Sequence, residues 1–176
     1  MKGKVQNLAA WLGMTAVCVA ADQYTKSMIV KYLAGKEPIV LISGVFEILY
    51  TENRGAAFGM LQGKQGFFFV IALIVLAAAA WVMVRLPDFS EKRYHLLKLC
   101  VAWITAGAVG NMIDRLSQGY VVDFLYFKLI DFPVFNVADI LVTCATALLM
   151  VLLLFYYKDE DLECLHVKNS GKGDEK

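Results

Sequence analysis

The sequence predicts an all-α membrane protein, a single domain spanning residues 1–176 and built from four transmembrane helices. Three observations carry that expectation. The chain is 59% hydrophobic and 19% charged with a mean hydropathy of +0.59, too apolar for a soluble domain of this length. Residues 67–84 and 140–157 are two runs of eighteen uncharged positions, each closed by Lys or Arg. As helices, either run crosses a hydrocarbon core of about 30 Å. Two shorter apolar runs, 8–21 and 99–110, each stop at polar residues and complete the set.

The spans are expected at about 8–26, 67–85, 97–116 and 137–157. The first resembles a secretory signal, because Lys2 and Lys4 precede an apolar stretch. Asp22 and the bulky run Gln23-Tyr24-Thr25-Lys26 replace the small-residue cleavage site such signals need, so it reads as a retained helix. Basic residues set the direction. Ten lie in the amino end, the 85–98 connection and the tail from Lys158; six lie in the longer connections 26–65 and 118–135. Both termini are therefore expected in the cytoplasm, with a disordered cytoplasmic tail over about 160–176. Small residues in the third span, Ala102, Ala106, Gly107, Ala108 and Gly110, permit close helix packing.

This threading has a consequence for the polar residues. Asp22 falls about 21 Å beyond Leu8 at 1.5 Å per residue, toward the outer side. Asn111 and Asp114 close the third span three positions apart, on one face. Asn136 and Asp139 open the fourth, and Asp123 lies in the connection between them. All six are expected at one depth, near the outer boundary, with no comparable collection at the inner ends. Taken singly, each has a plainer reading. Asn136 and Asp139 match a helix cap, with Asp in place of the usual Glu or Gln. Asp22 can be solvated, Asp114 can pair with Arg115, and Asp131 fits a solvated turn. Together they fit the pattern in which carboxylates within spans mark a pathway or a reaction site.

Two close carboxylates in a poorly hydrated site share one proton. The ionised member can then deprotonate a water while the protonated member hydrogen-bonds a carbonyl oxygen, which is the chemistry of an aspartic peptidase. No histidine is placed to act as a base on the outer side, since His95 and His166 lie elsewhere. The cysteines, Cys18, Cys100, Cys144 and Cys164, show neither disulfide nor zinc spacing, and neither metal nor cofactor is expected. A net charge of +1 offers no nucleic-acid surface. A proton-coupled transporter and a non-catalytic assembly factor remain open on the residues alone, although no inverted repeat is visible.

Four motifs in order carry a resemblance to a known family. They are Asn53-Arg54-Gly55-Ala56-Ala57-Phe58-Gly59, Gly110-Asn111-Met112-Ile113-Asp114-Arg115, Val121-Val122-Asp123-Phe124 and Phe135-Asn136-Val137-Ala138-Asp139, preceded by Asp22 with Gln23 and Lys26. Over residues 8–157 the chain resembles the lipoprotein signal peptidases, or signal peptidase II. The resemblance implies that Asp123 and Asp139 are catalytic. It implies that Asp22, Asn53, Gly55, Asn111, Asp114, Arg115 and Asn136 support the site or contact substrate. It further implies a bacterial cytoplasmic-membrane enzyme, monomeric, with its site near the outer leaflet among membrane lipid. Its substrates would be diacylglyceryl-prolipoproteins cut just before the modified cysteine, and globomycin its inhibitor. Ile140 departs from the small polar residue common after the last catalytic aspartate.

In the first outer connection, Val40, Ile42, Phe46, Ile48 and Tyr50 share one parity, as in a strand with one apolar face, and an ordinary loop fits equally. The resemblance implies a small extracytoplasmic β cradle and a membrane-surface helix there. The aromatics of the second connection, from Tyr120 to Phe135, suit an interfacial loop.

Overall fold

The computed structural model describes residues 2–55 and 64–165. Its main helices are α1 (Lys2–Leu33), α2 (Gln65–Arg85), α3 (His95–Gln118) and α4 (Val137–Val151), the last continuing into a π-helical stretch, Leu152–Tyr156. Among the described residues, three stretches, Gln65–Arg85, Lys92–Gln118 and Val137–Tyr156, are long and apolar enough to cross a membrane. α1 is longer, at 32 residues, but Asp22 and Lys26 interrupt its apolar run.

α3 is the central helix and touches α1, α2 and α4. The reason is its side-chain size. Ala102 and Ala106 are fully buried, and a Cβ on Gly107 would lie 2.4 Å from Val142 Cγ2 and 2.5 Å from the Ala138 carbonyl oxygen. Between apolar helices in lipid, close van der Waals contact replaces the hydrophobic drive, so small residues hold α3 against α4. α2 and α4 turn large side chains outward instead, Ile74 and Met150 being 59% and 55% exposed. α3 ends at Gly119, whose φ of 81° lets its N–H close onto the Arg115 carbonyl at 3.1 Å. The chain can then reverse at once into the strand that follows.

That strand is β3 (Val121–Phe127), the third member of an antiparallel sheet ordered β1-β2-β3 with β1 (Ile39–Ile42) and β2 (Phe46–Asn53). The predicted interfacial loop over 120–135 is thus half strand. The single apolar parity in 39–51 is also corrected. A turn at Gly44 (φ 70°) folds the run into a hairpin, and bulges in both strand pairs change which side chains face inward. β1 is exposed throughout, and the buried residue of β2 is Glu47, paired with Lys128 at 2.8 Å. Ala56, Ala57, Phe58 and Gly59 lie outside the described residues. Residues 56–63 of the first connection lie outside the described residues, and with them any test of the membrane-surface helix; among the described residues of the second connection, the helical content is the single turn Lys128–Ile130.

The opposite end of the bundle differs from expectation in two ways. It does hold a buried polar group: Lys98 Nζ donates to Asn7 Oδ1 (2.9 Å) and to the carbonyls of Pro87 and Asp88, while Asn7 donates to those of Leu86 and Pro87. The start of the tail is also built in. Helix α5 (Asp159–Leu162) pairs Asp161 with Arg93, Tyr94 Oη donates to the Asp161 carbonyl, and Leu162 and Leu165 pack on the core. The expected disorder from about residue 160 therefore does not describe 160–165.

Candidate active site

Asp123 is delivered by β3 and Asp139 by the first turn of α4. β2 holds β3 in place, with Thr51 opposite Asp123 and Asn53 opposite Val121. Asn53 Nδ2 donates to Asp123 Oδ2 at 2.8 Å, and Asn136 Nδ2 donates to its Oδ1 at 2.6 Å. Asn111 Nδ2, from α3, donates to Asp139 Oδ1 at 2.8 Å, and the Asn136 backbone N–H donates to Oδ2 at 3.1 Å. Each of the four carboxyl oxygens thus has one donor and keeps lone-pair capacity for a further partner.

Asn136 links the two acids. Its Oδ1 accepts from the Asp139 backbone N–H at 3.0 Å, forming a capping box with Asp in the third position. Capping and site assembly are one arrangement here, so the two readings of this residue do not compete. Its Nδ2 also reaches Asn111 Oδ1 at 3.1 Å, closing a ring of amides around the pair.

Asp123 is 2% exposed, and its carboxyl is pushed up to about 7. Burial is the main cause, and the neighbouring Asp139 charge adds to it, against the hydrogen bonds from Asn53 and Asn136. A carboxyl in that range can exchange a proton near neutrality.

A cavity of about 580 Å³ opens onto this group. Asn53, Asn111, Arg115, Asp123 and Asp139 form its polar floor, and Phe68, Phe132, Phe135 and Ile140 contribute apolar walls. A second cavity of about 260 Å³ shares Asn111, Arg115 and Asp139 and runs down between α2 and α3 past Ala72, Val75 and Gly107. Polar groups therefore converge at one point of a largely apolar cleft, a form suited to a substrate that is itself mostly apolar. Among the described residues, no group of three or more His, Cys, Asp or Glu is arranged to hold a metal ion.

The remaining predicted residues take distinct places. Arg115 donates to the carbonyls of Gly55 (3.1 Å) and Asn111 (3.3 Å) and lies 4.2 Å from the Phe68 ring centre. Gly55 N–H in turn donates to Asn53 Oδ1 at 3.0 Å, steadying the side chain that holds Asp123. Asp22 and Asp114 sit behind the cavity, buried, and the solvated reading of Asp22 fails. Asp114 pairs with Lys26 at 2.9 Å, so the Asp114–Arg115 ion pair is corrected. Asp131 is exposed at the surface, where Tyr126 Oη donates to it. Lys26 and Gln23 are not among the site residues the sequence predicts, yet both contact Asp22 and Asp114. Their signal is in the sequence, since Lys26 follows Asp22 by one helical turn.

The family model described as signal peptidase (SPase) II matches residues 14–155. The lipoprotein signal peptidase of Brevibacillus brevis is 43% identical over 138 residues, which cover 78% of this chain and 90% of that protein. That of Caldanaerobacter subterraneus subsp. tengcongensis is 44% identical over 143 residues, covering 81% and 94%. Among solved structures, a bacterial membrane enzyme determined by the in meso method at 1.9 Å superposes with a TM-score of 0.71 at 31% identity, covering 85% of this chain and 95% of its own.

Proposed function

The chain belongs to the signal peptidase II family and removes signal peptides from prolipoproteins, and from that premise we propose that Asp123 and Asp139 are its catalytic pair. The observation that carries the reading is their meeting at the polar floor of one apolar cleft, each bound by amide donors and both bound to Asn136. The pair shares one proton. The ionised carboxylate takes a proton from water as the water oxygen bonds to the scissile carbonyl carbon, while the protonated carboxyl hydrogen-bonds the carbonyl oxygen. The carbon–nitrogen bond then breaks, the proton passes to the leaving amine, and the pair returns to its starting state.

The substrate is a prolipoprotein bearing diacylglycerol on a cysteine, cut just before that residue. Such a bond lies where the lipid anchor meets the outer boundary of the cytoplasmic membrane, with the signal helix in the bilayer. This fits a site at the ends of apolar helices whose cleft continues between α2 and α3. α1 is the fourth span. The charges that interrupt its apolar run, Asp22 and Lys26, pair inside the protein at 2.9 Å, and Val5, Leu12 and Val17 face outward. Both termini are then cytoplasmic, the enzyme acts as a monomer, and globomycin competes for the cleft.

The test is turnover of a diacylglyceryl-modified precursor by purified Asp123→Asn and Asp139→Asn. The amide introduced by Asp139→Asn keeps an oxygen for the capping box, so folding should survive. Each variant should lose roughly 100- to 10,000-fold in kcat. Near wild-type turnover by either would remove that residue from the pair.

A further inference from the structure

The two carboxylates behind the cleft hold the chain at matching points. Asp114 Oδ2 accepts from the backbone N–H of Val122 (3.2 Å), the residue before Asp123. Asp22 Oδ1 accepts from the backbone N–H of Ala138 (2.9 Å), the residue before Asp139. One group joins these two mounts. Lys26 Nζ lies 2.9 Å from Asp22 Oδ2 and 2.9 Å from Asp114 Oδ2, and donates to Asn111 Oδ1 at 2.9 Å. An ammonium has three N–H groups, and these three acceptors use all of them.

We propose that Lys26 is a positioning residue that sets the separation and orientation of the catalytic carboxylates. It ties Asp22 and Asp114 to a single nitrogen, and through them the backbone segments carrying Asp139 and Asp123. Its third hydrogen fixes the amide of Asn111, whose oxygen must face Lys26 and Asn136, so that its nitrogen must face Asp139. Gln23 braces the same bracket, donating to Asp114 Oδ1 (2.8 Å) and the Gly110 carbonyl (3.1 Å). Room for it depends on Gly110, where a Cβ would lie 2.5 Å from Asp22 Oδ2. A lysine suits the position because three donors diverge from one compact nitrogen, whereas a guanidinium presents a flat fork.

The competing account is that Lys26 only neutralises two buried acids, whose exposure is 0% and 5% at the side chain. Removing the cation alone strands those charges and can unfold the protein. The experiment therefore compares Lys26→Met, Lys26→Arg and the neutralised triple variant K26M/D22N/D114N, measuring kcat, KM and thermal stability with the modified precursor. Positioning predicts that the triple variant regains stability but keeps a kcat lowered about 10- to 100-fold with KM little changed, and that Lys26→Arg behaves likewise. Wild-type kcat in the triple variant or in Lys26→Arg would overturn it, as would a rise in KM at unchanged kcat. The inference rests on the Asp123–Asp139 reading, so Asp123→Asn is assayed alongside. Turnover by Asp123→Asn defeats that reading, whereas an inactive Asp123→Asn beside fully active Lys26 variants defeats the bracket alone.

Discussion

Asn136 holds Asp123 and the start of α4 with one side chain, donating from Nδ2 to Asp123 Oδ1 at 2.6 Å and accepting the Asp139 N–H at 3.0 Å on Oδ1. The two jobs can be separated. Asn136→Ser keeps an oxygen for the cap but is too short to reach Asp123, while Asn136→Ala loses both contacts. Loss of the cap costs about 1 kcal/mol, so Asn136→Ala should melt below Asn136→Ser. Both should lose roughly tenfold or more in kcat, a hydrogen bond to an ionised group being worth about 1.5–3 kcal/mol. Wild-type turnover by Asn136→Ser would show that the contact to Asp123 is dispensable.

Stability should depend on pH in the direction opposite to that of an ordinary paired carboxylate. Asp123 is pushed up to about 7 in the fold, whereas an aspartate in an unfolded chain titrates near about 3.9. Between these values the folded state holds a proton that the unfolded state has released. Its contribution to stability is therefore lost as pH rises through that window. Asp123→Asn removes this contribution, so its melting temperature should fall less than that of the wild type between about pH 4 and about pH 7. Turnover should decline above about pH 7, where the pair gives up its shared proton. Parallel melting curves for the two proteins across that range would contradict the assignment.

The helices and the meeting of the acids at one end of them were legible because both follow from apolar runs and chain direction, which are local properties. Asp22, Asn111, Asp114, Asn136 and Asp139 could be placed at one level by counting residues along helices. The partners could not. Lys26 was visible one turn after Asp22, but its contacts with Asp114 and Asn111 depend on how α1 meets α3. β3 was missed because Val121, Val122, Asp123 and Phe124 are all buried, which leaves no alternation to read. The hairpin at Gly44 and the two bulges defeated a parity argument that requires one unbroken strand. The packed start of the tail rests on aromatic and ionic contacts from Arg93 and Tyr94 that no linear pattern announces.

Arg115 and Phe68 should couple. The guanidinium lies 4.2 Å from the ring centre and donates to two backbone carbonyls, one of them Gly55, which steadies Asn53. Lysine keeps the charge but not the fork, so Arg115→Lys should lose roughly tenfold or more in kcat. Phe68→Leu should mainly lower stability. In a double-mutant cycle of melting free energies, the pair should show a coupling of about 0.5–2 kcal/mol. Strict additivity would mean that the ring only fills space.

Glycines on α3 should be intolerant where the helix meets α4, and a glycine facing open space should not. At Gly107 an added Cβ would lie 2.5 Å from the Ala138 carbonyl oxygen, which is backbone and cannot rotate away. Ala138 immediately precedes Asp139, so relief of the clash must push the start of α4 away from α3. Gly107→Ala should therefore lower stability by about 1–3 kcal/mol, as other overpacked sites do. It should also lower kcat, because Asn111 on α3 reaches Asp139 across this contact at 2.8 Å. Gly13 in α1 has nothing within 4 Å of the equivalent position, so Gly13→Ala should be neutral or up to about 1 kcal/mol stabilising. Melting and turnover of the two variants side by side decide the matter. If Gly107→Ala keeps wild-type kcat, the spacing of α3 and α4 does not govern the geometry of Asp139.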